Sequence, residues 1–243
     1  MEIDRYLEIQ KLCNRDSYEF LHETHSSPEN FKLNDFFEYL LSKRNIQYIE
    51  HKFSSKRIVG HYMRDELGKS IMINSLNDRH AKVIGRGHEL GHDTLHLTTA
   101  RSQTFNDGID NIYSGTEKIE IEANTAAMMY YMPDISLFVA LSEPKMNYIE
   151  LLKLFDAPDW LLERRIIRFL QINCMMTFDD AEIAVFKYKG KSYYDHNSLI
   201  QEIIKLETFE KKITGEFMTP SFFTQKTNKC STFEQRKLFT IYK

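Results

Sequence analysis

Cysteine is scarce in this chain: Cys13, Cys174 and Cys230 are the only three, odd in number and unclustered. That excludes a disulfide framework and a cysteine-built zinc knot, and it suits reduced thiols in a cytoplasmic protein. Proline and glycine are also few, 5 and 9 in 243 residues, which leaves little room for long flexible linkers. No apolar run approaches the roughly 20 residues that span a bilayer, and Ile135 to Leu141 reads as a short core segment. The opening residues, MEIDRYLEIQKL, carry acids and lack the apolar stretch of a signal peptide, so a soluble protein without a membrane partner is expected. A net charge of −3 lacks the positive excess of a nucleic-acid binder; direct binding to DNA or RNA is not expected, while a DNA-binding protein remains an acceptable partner. There is no internal repeat and no low-complexity tract.

What is present is a sizeable core, 42% apolar and 13% aromatic residues, enough for one domain with an appendage. The most informative stretch is His88-Glu89-Leu90-Gly91-His92. Residues at i and i+4 stack on one face of a helix, so both imidazoles reach a single cation. Glu89 then stands beside the metal instead of on it, placed to take a proton from a metal-activated water. A catalytic zinc needs a third protein ligand and an open fourth position. His96 repeats the spacing, but three imidazoles along a straight helix spread over roughly 12 Å, too far for one ion. His96 is therefore expected to support or cap the helix, and the third ligand is sought in the acidic segment from Glu117 to Asn124.

Read as a helix, residues 117–132 carry an apolar stripe of Ile119, Ala123, Ala126 and Tyr130. Glu120 and Glu122 flank that stripe about 200° apart, so only one of them can face the metal. Periodicity does not choose between them. Asn124, one turn beyond Glu120, can hydrogen-bond a ligand, and Ala123 and Ala127 allow a close helix approach; both favour Glu120, with Glu122 as the alternative.

With these residues in place, GHELGHDTLH followed by IEIEANTAAMMYYMP resembles the ImmA/IrrE family of metallopeptidases over roughly residues 30 to 135. The stretch Ile71-Met72-Ile73-Asn74 stands where that family has the strand before its active-site helix. The resemblance implies His88 and His92 as metal ligands, Glu89 as the catalytic glutamate and Glu120 as third ligand. It also implies Zn²⁺ as cofactor, with Mn²⁺ an acceptable substitute for such a ligand set. Family members inactivate helix-turn-helix repressors, so a helix-turn-helix repressor protein is the implied substrate, its cleavage relieving repression of a mobile-element or stress-response operon. Two other readings compete: a non-catalytic metal-binding regulator that displaces the repressor from DNA, and a DNA-binding regulator. Ala126-Ala127 and the run Met128 to Tyr131 depart from the family pattern and bear on substrate fit.

The expected fold is α+β: a zincin-like metallopeptidase core of a small sheet, an active-site helix and a Glu-bearing helix, followed by a mainly helical C-terminal extension. Domain limits are placed at 1–145 for the metallopeptidase and 146–243 for an extension concerned with partner recognition. Helices are expected over residues 4–23 and 33–44, and strands over 46–53, 57–64 and 69–73, with a turn at Glu66 to Gly68. His22 and His25, before Ser26-Ser27-Pro28, read as a solvated helix end. Asp78 is the expected cap of the active-site helix, and Gly85, Gly87 and Gly91 are expected to serve tight packing against the sheet. Residues 100–114 read as a long loop joining the two metal helices. Tyr148 to Leu170 reads as helix, turn, helix, with Arg164, Arg165 and Arg168 making its second half basic; an ordinary hairpin packed on the core competes with an exposed docking face. Residues 184–194 look like a β-hairpin broken at Lys189-Gly190-Lys191, and 199–209 like another helix. An oxyanion donor is expected among His96, Tyr113, Tyr130 and Tyr131.

Overall fold

In a computed structural model the chain is described at residues 1–55, 58–96, 103–104, 117–143, 145–190, 200 and 207–218. Helix α1 (Ile3–Glu23) and helix α2 (Leu33–Lys43) open the fold, separated by a 3-10 turn at Pro28–Asn30. Strands β1 (Ile46–His51), β2 (Gly60–Asp65) and β3 (Gly68–Asn74) follow, with a two-residue β4 (Gln103–Thr104). The sheet order is β1-β3-β2-β4; β1 runs parallel to β3, and the other pairs are antiparallel. The β2–β3 hairpin closes at the Asp65–Gly68 pair, where Gly68 takes φ +134°, a conformation that an L side chain resists. Strand β4 lies within the stretch read as a loop; two residues are too short for any alternation to be visible, and the rest of 100–114 lies outside the described residues.

Helix α3 (Arg79–Leu95) crosses this sheet, and its start is set by Asp78, whose carboxylate accepts a hydrogen bond from the Ala81 amide at 2.9 Å. Helix α4 (Lys118–Tyr131) packs along α3. The glycines of α3 divide between these two surfaces. A Cβ on Gly85 would lie 2.6 Å from Val59 Cγ1 at the sheet, whereas one on Gly91 would lie 2.9 Å from the Ala123 carbonyl of α4. Packing against the sheet thus accounts for Gly85, but Gly91 serves the helix pair.

The remaining helices are α5 (Asp134–Ser142), α6 (Tyr148–Phe155), α7 (Asp159–Asn173), α8 (Phe178–Lys189) and α9 (Glu207–Met218). The fold is α+β, a small sheet with the His-bearing helix followed by a largely helical region. The α6–α7 hairpin forms as expected, but Arg165 does not join a basic surface. It is 1% exposed and pairs with the fully buried Asp134 of α5, leaving Arg164 and Arg168 exposed. The hairpin expected at 184–194 is instead helix through Lys189, capped by Gly190; Ala181, Ala184, Val185 and Tyr188 bury at i, i+3, i+4 and i+7. Residues 191–194 lie outside the described residues, as does 201–206 of the helix expected at 199–209. The end of α1 is also less solvated than expected: His22 stacks on Phe217 of α9, with ring centroids 4.6 Å apart, and lies 2.8 Å from its carbonyl oxygen. None of the described helices is long and apolar enough to cross a membrane.

Candidate metal centre

Helix α3 presents His88, Glu89 and His92 inward, each no more than 3% exposed. The close approach allowed by Gly91 brings the first turn of α4 beside them. His88 Nε2 and His92 Nε2 stand 2.8 Å apart, and Glu120 Oε2 lies 3.4 Å from the first and 3.7 Å from the second. One donor atom from each of the three falls within 4.8 Å of the others, a group able to hold a divalent metal. Two imidazoles and a carboxylate are a donor set that zinc accepts with a fourth position left open.

The two carboxylates of α4 separate as the 200° argument requires. Glu120 faces the histidine pair, while Glu122 lies 3.1 Å from His96 Nε2 and 2.6 Å from the Arg5 guanidinium of α1. Asn124 reaches back to His88, with its Oδ1 2.7 Å from Nδ1. An amide oxygen only accepts, so Nδ1 carries the hydrogen and His88 Nε2 is left with its lone pair toward Glu120. His96 is the C-cap residue of α3, and its Nδ1 lies 3.1 Å from His92 Nδ1.

Burial dominates the electrostatics. It pushes His88 down to about 4, against the pull of Glu120. Glu89 goes the other way: burial, reinforced by the negative charge of Glu120, raises it well above 4.5. Both Glu89 oxygens are buried with no side-chain hydrogen-bond partner among the described residues, and only the Tyr62 backbone opposes the rise. A buried carboxylate left in that state is costly, and a group destined to meet a water or a cation explains it.

Sequence reasoning missed two contributors. Gly60 at the start of β2 lies against Glu89: a Cβ there would stand 2.8 Å from Glu89 Oε1, so only glycine leaves the carboxylate its space. Arg5 contacts Glu122 across 117 residues, a separation at which no local pattern carries a signal. Of the expected oxyanion donors, Tyr130 is committed elsewhere, with its hydroxyl 2.7 Å from Asp16 and 2.6 Å from Thr94. Tyr131 donates to the Asp156 carbonyl at 2.7 Å, His96 faces Glu122 and His92, and Tyr113 lies outside the described residues. A cleft of about 250 Å³ lined by Phe31, Arg79, Val83, Tyr131, Phe155 and Asp156 includes none of His88, Glu89, His92 and Glu120.

No curated protein matches the chain. The profile of the IrrE N-terminal-like domain, Peptidase_M78, matches residues 41–166, just over half of the sequence. That match begins before β1 and runs through the sheet, both metal-facing helices and most of α7. With its His-Glu-x-x-His triad typical of catalytic zinc metallopeptidases, the chain belongs to the IrrE N-terminal-like (Peptidase_M78) family.

Proposed function

We propose that the protein is a Zn²⁺-dependent endopeptidase of the cytoplasm that cuts a helix-turn-helix transcriptional repressor and so relieves repression. The observation that carries the catalytic half is the conjunction of the His88, His92 and Glu120 donor group with the buried Glu89 carboxyl, which no described side chain hydrogen-bonds. His88, His92 and Glu120 are the metal ligands in this reading, and Glu89 is the general base. A bound Zn²⁺ supplies Lewis-acid polarisation of the scissile carbonyl and lowers the pKa of the attacking water; Mn²⁺ suits the same ligand set less specifically. Glu89 takes the water's proton on its free carboxylate oxygen and delivers it to the leaving amine nitrogen. Asn124 holds the His88 ring in the tautomer that offers Nε2, and Gly60 keeps the space around Glu89 clear.

The repressor as substrate rests on the family resemblance. In this reading residues 1–145 do the chemistry and residues 146–243 meet the partner. Exposed apolar side chains in the second part, Ile149, Leu154, Met175, Phe178, Ile183 and Phe186, support a protein-binding role. The DNA-binding alternative loses ground, because Arg165 is consumed by Asp134 and only two of its three arginines remain at the surface.

The test is incubation of the Zn²⁺-loaded protein with candidate helix-turn-helix repressors from the same genome, followed by mass spectrometry. Cleavage is expected from the wild type, with a loss of about 10²–10⁴-fold in Glu89→Gln at unchanged metal content. Equal cleavage by metal-loaded Glu89→Gln would remove the glutamate from its role. An intact repressor with both proteins would contradict the substrate.

A further inference from the structure

Resting on the reading of His92 as a ligand, we propose that Arg5, Glu122 and His96 form a positioning relay that fixes which nitrogen of His92 faces the metal. The chain of contacts is continuous. Arg5 Nη2 lies 2.6 Å from Glu122 Oε2, the same oxygen is 3.1 Å from His96 Nε2, and His96 Nδ1 is 3.1 Å from His92 Nδ1. Glu122, His96 and His92 are buried, and Arg5 is the partly exposed outer end.

The direction of every hydrogen bond follows from the first. Paired with a guanidinium, Glu122 is a carboxylate and can only accept. His96 Nε2 therefore carries the hydrogen, and a neutral His96 ring has only a lone pair at Nδ1. His92 Nδ1 must then donate, which leaves its Nε2 lone pair directed to His88 Nε2 and Glu120. The opposite arrangement would put a hydrogen on His92 Nε2, where a ligand needs a lone pair. The relay acts on His92 Nδ1 as Asn124 acts on His88 Nδ1, but it begins on α1, outside residues 41–166. The N-terminal helix thereby reaches a site 83–87 residues away along the chain, at His88 and His92.

The competing account is that Arg5 and Glu122 merely fasten α1 to α4. It predicts a lower melting temperature and an unchanged metal site. The experiment uses the full-length protein and measures Zn²⁺ affinity by chelator competition, the visible absorption of the Co²⁺-substituted protein, and melting. Glu122→Gln and His96→Phe are expected to weaken Zn²⁺ binding about 10- to 100-fold and to shift the Co²⁺ bands. Arg5→Ala should weaken it less, by up to about 10-fold, because its solvent-facing charge is screened. Arg5→Lys should recover most of that loss, and Arg5→Ala with Glu122→Gln should bind no more weakly than Glu122→Gln alone, as members of one chain do. Wild-type affinity and Co²⁺ spectrum in folded Glu122→Gln, or fully additive losses in the double variant, would overturn the relay. If Glu122→Gln does not fold, the partly exposed Arg5 pair of variants decides alone: equal Zn²⁺ affinity for Arg5→Ala and wild type overturns it. Failure of the unmodified protein to bind Zn²⁺ would instead remove the ligand assignment itself, a result the relay variants cannot mimic.

Discussion

Two of the buried charge clusters among the described residues differ in kind, one where α5 meets α7 and α1, the other where α3 meets α4. In the first, Asp134 pairs with Arg165 and also accepts hydrogen bonds from Gln10 at 2.6 Å and Asn14 at 3.0 Å. Arg165 Nε further donates to the Met132 carbonyl at 2.9 Å. In the second, Glu89 is as deeply buried as Arg165, 1% exposed, yet no side chain among the described residues hydrogen-bonds either of its oxygens. The same physical situation, a titratable group taken out of water, is thus resolved in one place and left open in the other. Satisfied buried charge holds elements together; unsatisfied buried charge marks a place where a reactant has yet to arrive.

The sharpest way to break this contrast is Asp134→Ala, which leaves Arg165 buried without its counter-charge and should cost about 3–5 kcal/mol in chemical denaturation. Zn²⁺ binding by the fraction that remains folded should not change. The pH dependence follows in sign. Burial resists ionisation of Asp134, but Arg165, Asn14 and Gln10 outweigh it and hold its pKa below the usual 3.8. Its contribution is therefore fully present above about pH 3.8 and is lost as pH falls through the lower folded value, so the gap between wild type and variant should narrow only in acid.

A smaller effect is expected at the seam that builds the metal centre. A Cβ on Gly91 would stand 2.9 Å from the Ala123 carbonyl and 3.1 Å from Ala126 Cβ. Gly91→Ala should cost roughly 1–3 kcal/mol as overpacking and, by displacing Glu120 from the histidines, weaken metal binding as well. A variant with lowered stability but wild-type Zn²⁺ affinity would show that helix spacing does not set the site. The smallest effect on stability belongs to Glu89→Gln. In the metal-free protein the raised pKa of Glu89 means that stability falls as pH rises above 4.5, where the unfolded chain ionises more readily. An amide removes that penalty, so at neutral pH the variant should lose no more than about 1 kcal/mol relative to wild type, or gain. A loss as large as that of Asp134→Ala would place Glu89 in the structural class.

How far the sequence carried depends on the range of the interaction. The cap at Asp78, the His88–His92 stacking and the place of Asn124 one turn after Glu120 are set by spacings of three, four and four, each visible in one stretch of chain, although the contact of Asn124 with His88 itself spans 36 residues. So were the three main strands and the hairpin turn before Gly68. Arg165 looked like part of a basic face because its counter-charge, Asp134, sits 31 residues earlier with nothing local to announce it. Helix α8 looked like a hairpin because Val185, Phe186 and Tyr188 suit strands and Gly190 suits a turn; that glycine is the helix C-cap, and the buried residues follow a helical period. Nothing local marks His22 as packed, because its neighbour Phe217 comes 195 residues later. The missing link between Arg5 and the metal centre is of the same kind.

The central proposal is that His88, His92 and Glu120 hold one divalent ion while Glu122 supports the site from behind. Metal analysis of purified wild type, Glu120→Ala and Glu122→Ala, each equilibrated with saturating Zn²⁺ and then freed of excess, tests it. About one ion per chain is expected in the wild type and in Glu122→Ala, and none in Glu120→Ala. An empty Glu122→Ala protein beside a metal-loaded Glu120→Ala protein would contradict the account.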